Sequence, residues 1–169
     1  MKVSKKFIHL QLMNLDKMIF FGKITANLIL KNNLRLIYLK GDLGAGKTSL
    51  VRSIMSGLGI TEVISSPSFS LVEIYKIDNF LVAHMDFFRA KTPFDWRDGE
   101  IRTYFEDDKK LIFLEWPDKA KLLPEPNLLI EIFITKKNIK NNTRDLKISG
   151  SDFKKLINPI KLRGLEKQP

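Results

Sequence analysis

Apolar and polar residues alternate through residues 7–12, Phe-Ile-His-Leu-Gln-Leu, the two-residue period of a half-buried strand. That pattern predicts an edge strand. From Asn14 the period lengthens: Leu15, Ile19, Ala26, Leu28 and Ile29 suit one face of an amphipathic helix over 14–31, with Asn14 as its N-cap. Residues 34–39, Leu-Arg-Leu-Ile-Tyr-Leu, are short and mostly apolar, the mark of a buried strand. A second helix is predicted over 47–58, stopped by Gly57 and Gly59. Residues 71–77 and 80–87 flank Asp78-Asn79, a dipeptide suited to a hairpin turn, so these two strands are expected to be antiparallel. Thr92 and Pro93 open a predicted helix over 92–105, as cap and first helical residue. Residues 111–114, Leu-Ile-Phe-Leu, read as another buried strand that ends in Glu115, and Pro117 and Pro124 punctuate the stretch after it. Residues 128–135 and 144–149 suggest a second hairpin across a polar stretch, 136–143. A short helix over 151–157 and a basic, frayed tail over 158–169 complete the pattern. The expectation is one α/β domain over 1–157 with a mixed sheet.

Composition narrows the class. The 169 residues suffice for one domain with its own core, and 44% hydrophobic with 28% charged residues is ordinary for a globular chain. No apolar run approaches the roughly 20 residues that cross a bilayer. The N-terminus is basic, but His9, Gln11, Asn14, Asp16 and Lys17 interrupt the segment after it, so no signal-peptide core is present. With no cysteine there is no disulfide, thiolate metal site or thiol nucleophile, which fits a reducing cytoplasm. The net charge of +10 has two readings. One is an anionic partner such as RNA. The other is the coding bias of an AT-rich genome, since Lys outnumbers Arg and the basic residues are scattered.

The chemistry starts at Gly41-Asp42-Leu43-Gly44-Ala45-Gly46-Lys47-Thr48, which meets the pattern G-x-x-x-x-G-K-[ST] in full. Glycines let backbone N–H groups close on phosphate oxygens, and the adjoining helix turns its unpaired N-terminal donors to the same anion. Lys47 places a charge on the β- and γ-phosphates, and Thr48 offers a hydroxyl to Mg²⁺. A strand before and a helix after supply the required context. The ligand class is ATP or GTP with magnesium.

Such a site needs a metal-side carboxylate, and two candidates end apolar strands: Asp86 and Glu115. The segment Ser65-Ser66-Pro67-Ser68-Phe69-Ser70 is either a polar turn or a switch that senses the γ-phosphate. Histidines number two, His9 and His84. His84 lies two residues before Asp86 and shares its strand face; a packed core histidine is the simpler reading than a catalytic one.

Four ordered motifs go further: residues 40–48, Ser66-Pro67-Ser68-Phe69-Ser70-Leu71-Val72-Glu73, His84-Met85-Asp86-Phe87-Phe88-Arg89 and Leu114-Glu115-Trp116-Pro117. Together they resemble the TsaE (YjeE) family, small ATPases of bacterial tRNA threonylcarbamoyladenosine biosynthesis. The likeness runs from about Phe7 to Ile157. It implies a P-loop NTPase fold, with central parallel strands flanked by antiparallel ones and helices on both faces. It implies ATP and Mg²⁺ as cofactors. Nucleotide contacts are implied for Asp42, Leu43, Gly44, Ala45, Gly46, Lys47, Thr48, Ser49 and Ser70. Thr48, Glu115 and Asp86 fall on the metal side, and Lys47, Asp86 and Glu115 are the implied catalytic residues. Trp116 matches a tryptophan tied to activity or partner contact. The implied partners are TsaB and TsaD, with tRNA reached through them; no membrane is involved, and alone the chain is expected to be monomeric or weakly self-associating. Departures from the family pattern are Ser68 and Ser70 for Thr, Phe88 for Tyr, and Arg97 and Arg102 in an acidic helix. Met18 stands where the family has a Thr near the adenine, and Arg144 matches a late arginine. No built-in arginine finger stands out, leaving Arg89 or a partner's residue. A small P-loop kinase shares the loop but leaves the Ser-Pro and Glu-Trp-Pro motifs unexplained; the non-enzyme alternative is a nucleotide-gated adaptor that binds ATP or ADP without useful turnover.

Overall fold

The computed structural model describes residues 7–77, 80–97, 99–162 and 165. Seven strands form one sheet: β1 (Ile8–Met13), β2 (Leu36–Lys40), β3 (Val72–Ile77), β4 (Phe80–Asp86), β5 (Lys110–Glu115), β6 (Leu128–Phe133) and β7 (Arg144–Ser149). Their order is β1-β7-β6-β2-β5-β4-β3. The central pairs β6–β2, β2–β5 and β5–β4 are parallel, while β1–β7, β6–β7 and β3–β4 are antiparallel. The expected mixed sheet is present. The Asp78-Asn79 turn expected between β3 and β4 lies outside the described residues.

Period-2 alternation in the central strands divides the core in two. On one face Ile37, Leu39, Val82, Phe113 and Ile130 pack with helices α1 (Leu15–Asn32) and α2 (Lys47–Gly57). On the other, Tyr38, Met85, Ile112 and Leu114 meet Trp96 and Tyr104. Asn14 caps α1 as expected, its Oδ1 accepting the Lys17 N–H at 3.0 Å. The two helices approach closely because Gly22 has no side chain. A Cβ there would run into Ser53 Oγ and meet the Ser53 carbonyl carbon at 2.9 Å.

Three predicted segments differ. The helix expected over 92–105 is two pieces, a 3₁₀ turn (Asp95–Arg97) and α3 (Gly99–Glu106). Asp95 takes the N–H groups of Lys91 and Thr92 and the Thr92 hydroxyl, and that local bonding competes with helix. Gly99 then adopts φ 62°. The polar stretch between β6 and β7 holds a short helix, α4 (Lys136–Asn141), closed by a reciprocal Thr135–Asn138 capping box. Finally, structure does not end at Ile157. A 3₁₀ turn (Phe153–Leu156) leads into α5 (Ile157–Leu162), with Ile160 and Leu165 buried in the core. Their apolar side chains hold this end against the domain despite the surrounding lysines.

Candidate nucleotide site

The glycine-rich loop joins the end of β2 to the start of α2, at the carboxyl edge of the parallel strands. Gly46 is the residue before α2 and adopts φ 103°, a left-handed conformation that glycine takes without strain. It brings no side chain to cap the helix, so among the described residues the first-turn N–H groups have no side-chain acceptor, as an anion-binding helix end requires. Arg144 at the start of β7 pins the loop from outside, its Nε donating to the Ala45 carbonyl at 3.0 Å.

Lys47 is buried, and its Nζ donates to the Gly41 and Asp42 carbonyls at 2.8 and 3.0 Å. The ammonium also lies 3.9 Å from the centroid of the Trp116 ring. Burial pulls its pKa below the ordinary lysine range, and Glu115, Asp86, Asp118 and Asp42 oppose that, Glu115 most. Trp116 sits in a left-handed conformation (φ 59°) directly after β5, and its ring contacts Phe88 at 4.9 Å between centroids.

Asp86 and Glu115 end adjacent parallel strands and are register partners. Strand alternation puts both on the α2-facing side of the sheet, and both are buried, at 4% and 2% exposure. Asp86 Oδ1 accepts the Phe88 N–H at 2.8 Å. Burial raises the Asp86 pKa, with Glu115 adding to the rise; the Phe88 N–H, Lys47 and His84 oppose it. Glu115 Oε1 lies 2.9 Å from Nε2 of His84, which is fully buried. Sequence pattern alone favours core packing for His84. Its place on the Asp86 strand face is the signal that it reaches the site.

The Ser-rich segment is tied to this floor through backbone. Leu71, at φ 63°, accepts the Asp86 N–H on its carbonyl at 3.1 Å. Arg52 of α2 donates to the Ile64 carbonyl at 2.7 Å. Ser70 itself points within the segment, its Oγ donating to Glu73 at 2.8 Å. Phe69 is 83% exposed and carries the Arg89 guanidinium 4.2 Å over its ring. Asp42, Leu43 and Ser49 are exposed on the loop and first turn, and Thr48 is half-buried.

Beside the loop is a cavity of about 180 Å³ whose lining includes Met13, Met18, Ala45, Ser49, Asn142 and Arg144. No local sequence signal marks Met13 and Asn142 as neighbours there. Strand pairing of β1 with β7 brings them together across more than a hundred residues. Among the described residues no group of three or more His, Asp or Glu forms a metal cage. The oxygens of Thr48, Asp86 and Glu115 are hard donors, few in number. That suits Mg²⁺, which is bound through one or two carboxylates plus substrate phosphates.

The family model for threonylcarbamoyl adenosine biosynthesis protein TsaE matches residues 12–146. A Haemophilus influenzae protein named tRNA threonylcarbamoyladenosine biosynthesis protein TsaE is 38% identical over 119 residues, covering 68% of this chain and 75% of that one. Its namesake in Rickettsia typhi is 35% identical over 136 residues, covering 79% and 88%. The crystal structure of Bacillus subtilis YdiB superposes with a TM-score of 0.68 at 22% identity, covering 94% of this chain and 97% of that one, and so shares the fold.

Proposed function

This chain belongs to the TsaE family, and on that basis we propose that it is a Mg²⁺-dependent ATP-binding and ATP-hydrolysing subunit for threonylcarbamoyladenosine formation at position 37 of tRNAs reading codons that start with A, acting with a TsaB–TsaD pair. The observation that carries the enzymatic part is the convergence of Lys47, Asp86 and Glu115 on one face, beside a helix N-terminus free of side-chain caps.

Each group then has a task. The N–H groups at the start of α2 cradle the phosphates, and Lys47 exchanges two backbone carbonyls for β- and γ-phosphate oxygens. Thr48 and Glu115, with Asp86 beside them, would hold the cation. Bound Mg²⁺ would supply charge neutralisation to the γ-phosphoryl group. Burial makes Asp86 a stronger base than an exposed aspartate, a property that serves to orient the attacking water. Catalysis is positioning plus electrostatics. The cavity beside the loop suits a purine ring. Among the described residues no Asp or Glu lines it, whereas guanine presents two donors that favour a carboxylate, so adenine is the better fit. Met18 there offers a thioether in place of a hydroxyl.

Turnover alone is slow in this proposal, because Arg89 rests on Phe69 and a partner completes the site. No helix among the described residues is long and apolar enough to cross a membrane. The proposed setting is the cytoplasm, with tRNA met through the partners. The test is reconstitution: TsaB, TsaD, tRNA, a threonylcarbamoyl donor and ATP–Mg²⁺, with and without this chain. Sustained product with the chain, lost in Lys47→Ala, is expected. Equal product without it would overturn the proposal.

A further inference from the structure

We infer that His84 is a positioning residue that holds Glu115 for the cation, through a hydrogen bond from its Nε2–H to Glu115 Oε1. The inference rests on the reading of Glu115 as a metal-side carboxylate.

His84 lies inside β4 between Ala83 and Met85, all fully buried. Its Nδ1 is buried and has no hydrogen-bond partner among the described residues. A polar nitrogen left unpaired in a core is penalised, and an apolar residue at the same place would avoid that. The ring's other nitrogen accounts for its presence, lying 2.9 Å from Glu115. Tautomer is set by geometry. With the proton on Nδ1, the Nε2 lone pair would oppose a carboxylate oxygen and the N–H would be stranded. With the proton on Nε2, the contact is a charge-assisted hydrogen bond.

The two carboxylates are held differently. Asp86 has the Phe88 backbone N–H at 2.8 Å. Among the described residues the Glu115 carboxylate has one hydrogen-bond partner, and it is His84. In the β4–β5 register His84 stands opposite Phe113, so its ring reaches diagonally to Glu115 two positions on. The bond ties one strand's carboxylate to the next strand. It fixes a side chain with three rotatable bonds by one oxygen and leaves the other for the cation. Outer partners that orient ligands in this way matter to affinity by about 10–100-fold.

The test has two readouts other than turnover. The first is the imidazole ¹⁵N spectrum of the Mg²⁺-free protein, where His84 is expected as the Nε2–H tautomer. The second is calorimetry of ATP binding across a Mg²⁺ titration. His84→Leu should raise the Mg²⁺ half-saturation by about 10–100-fold while Mg²⁺-free ATP affinity stays within about twofold of wild type. His84→Gln, which restores an N–H donor, should recover most of the loss. An Nδ1–H tautomer overturns the inference, as does wild-type Mg²⁺ response in a folded His84→Leu. So does a folded His84→Gln as impaired as the leucine variant. If leucine prevents folding, the spectrum and the glutamine variant still decide. Glu115→Gln separates the layers. If it leaves the Mg²⁺ response unchanged, the underlying reading of Glu115 falls; if it is impaired while His84→Leu is not, only this inference falls.

Discussion

The Lys47 ammonium lies 3.9 Å from the centroid of the Trp116 ring while donating to the Gly41 and Asp42 carbonyls. One side chain thus links the phosphate loop to the residue just after β5. A nucleotide that draws Lys47 onto its phosphates changes the charge above the indole. Adding ATP should therefore shift the tryptophan emission. Trp116→Phe should abolish that shift and Trp96→Phe should keep it, because the ring beside the Lys47 ammonium is that of Trp116, whereas Trp96 is buried with its indole N–H on the Lys121 carbonyl. Fluorescence titration of the three proteins checks this, and a shift that survives in Trp116→Phe contradicts it.

Lys47 and Glu115 should separate by what they lose. Removing a preorganised charge from such a site costs on the order of 100- to 1000-fold in turnover. Lys47→Ala should lose nucleotide affinity as well as hydrolysis. Glu115→Gln keeps the size of the side chain and should lose hydrolysis while Mg²⁺-free nucleotide binding survives. Calorimetry beside a phosphate-release assay tells these patterns apart.

Asp86 should work against stability in the nucleotide-free protein. Burial, the largest cause, raises its pKa, so the folded state holds the proton more tightly than the unfolded chain. Folding thus disfavours the charged form, and the penalty fades as pH falls through the raised value toward the unfolded one. Asp86→Asn keeps an acceptor for the Phe88 N–H and drops the charge. Its melting temperature, measured with chelator, should exceed wild type at pH 7, and the gap should narrow toward pH 4. The same variant should lose turnover.

Much of this was legible in the chain. The loop 41–48, the strands before Asp86 and Glu115, and the Asn14 cap each rest on local signals: a spacing, a period, a side chain three residues from its donor. Non-local facts were not legible. That His84 Nε2 meets Glu115 depends on β4 lying beside β5 in one register. That Arg144 holds the Ala45 carbonyl depends on a turn of chain 99 residues away. Nor did apolar pattern warn that Asp95 would bind the N–H groups of Lys91 and Thr92 and split the predicted helix.

The packing of α1 on α2 gives a prediction away from the chemistry. Alanine at Gly22 would gain up to about 1 kcal/mol of helix propensity. Its Cβ would also sit 2.9 Å from a Ser53 backbone atom, which cannot turn aside as a side chain can. Overpacking costs about 1–3 kcal/mol and should win. Gly22→Ala should lower the melting temperature by roughly 2–10 °C, and calorimetry that finds it unchanged would show the helices able to part.

If Lys47, Asp86 and Glu115 make an ATPase site that partners complete, steady-state ATP hydrolysis by this chain with Mg²⁺, alone and with the TsaB–TsaD pair, will show it. Slow turnover alone, clear stimulation by the pair, and loss of both on chelation or in Glu115→Ala are the predicted results. Absence of hydrolysis in every mixture, or full hydrolysis by Glu115→Ala, would contradict the account.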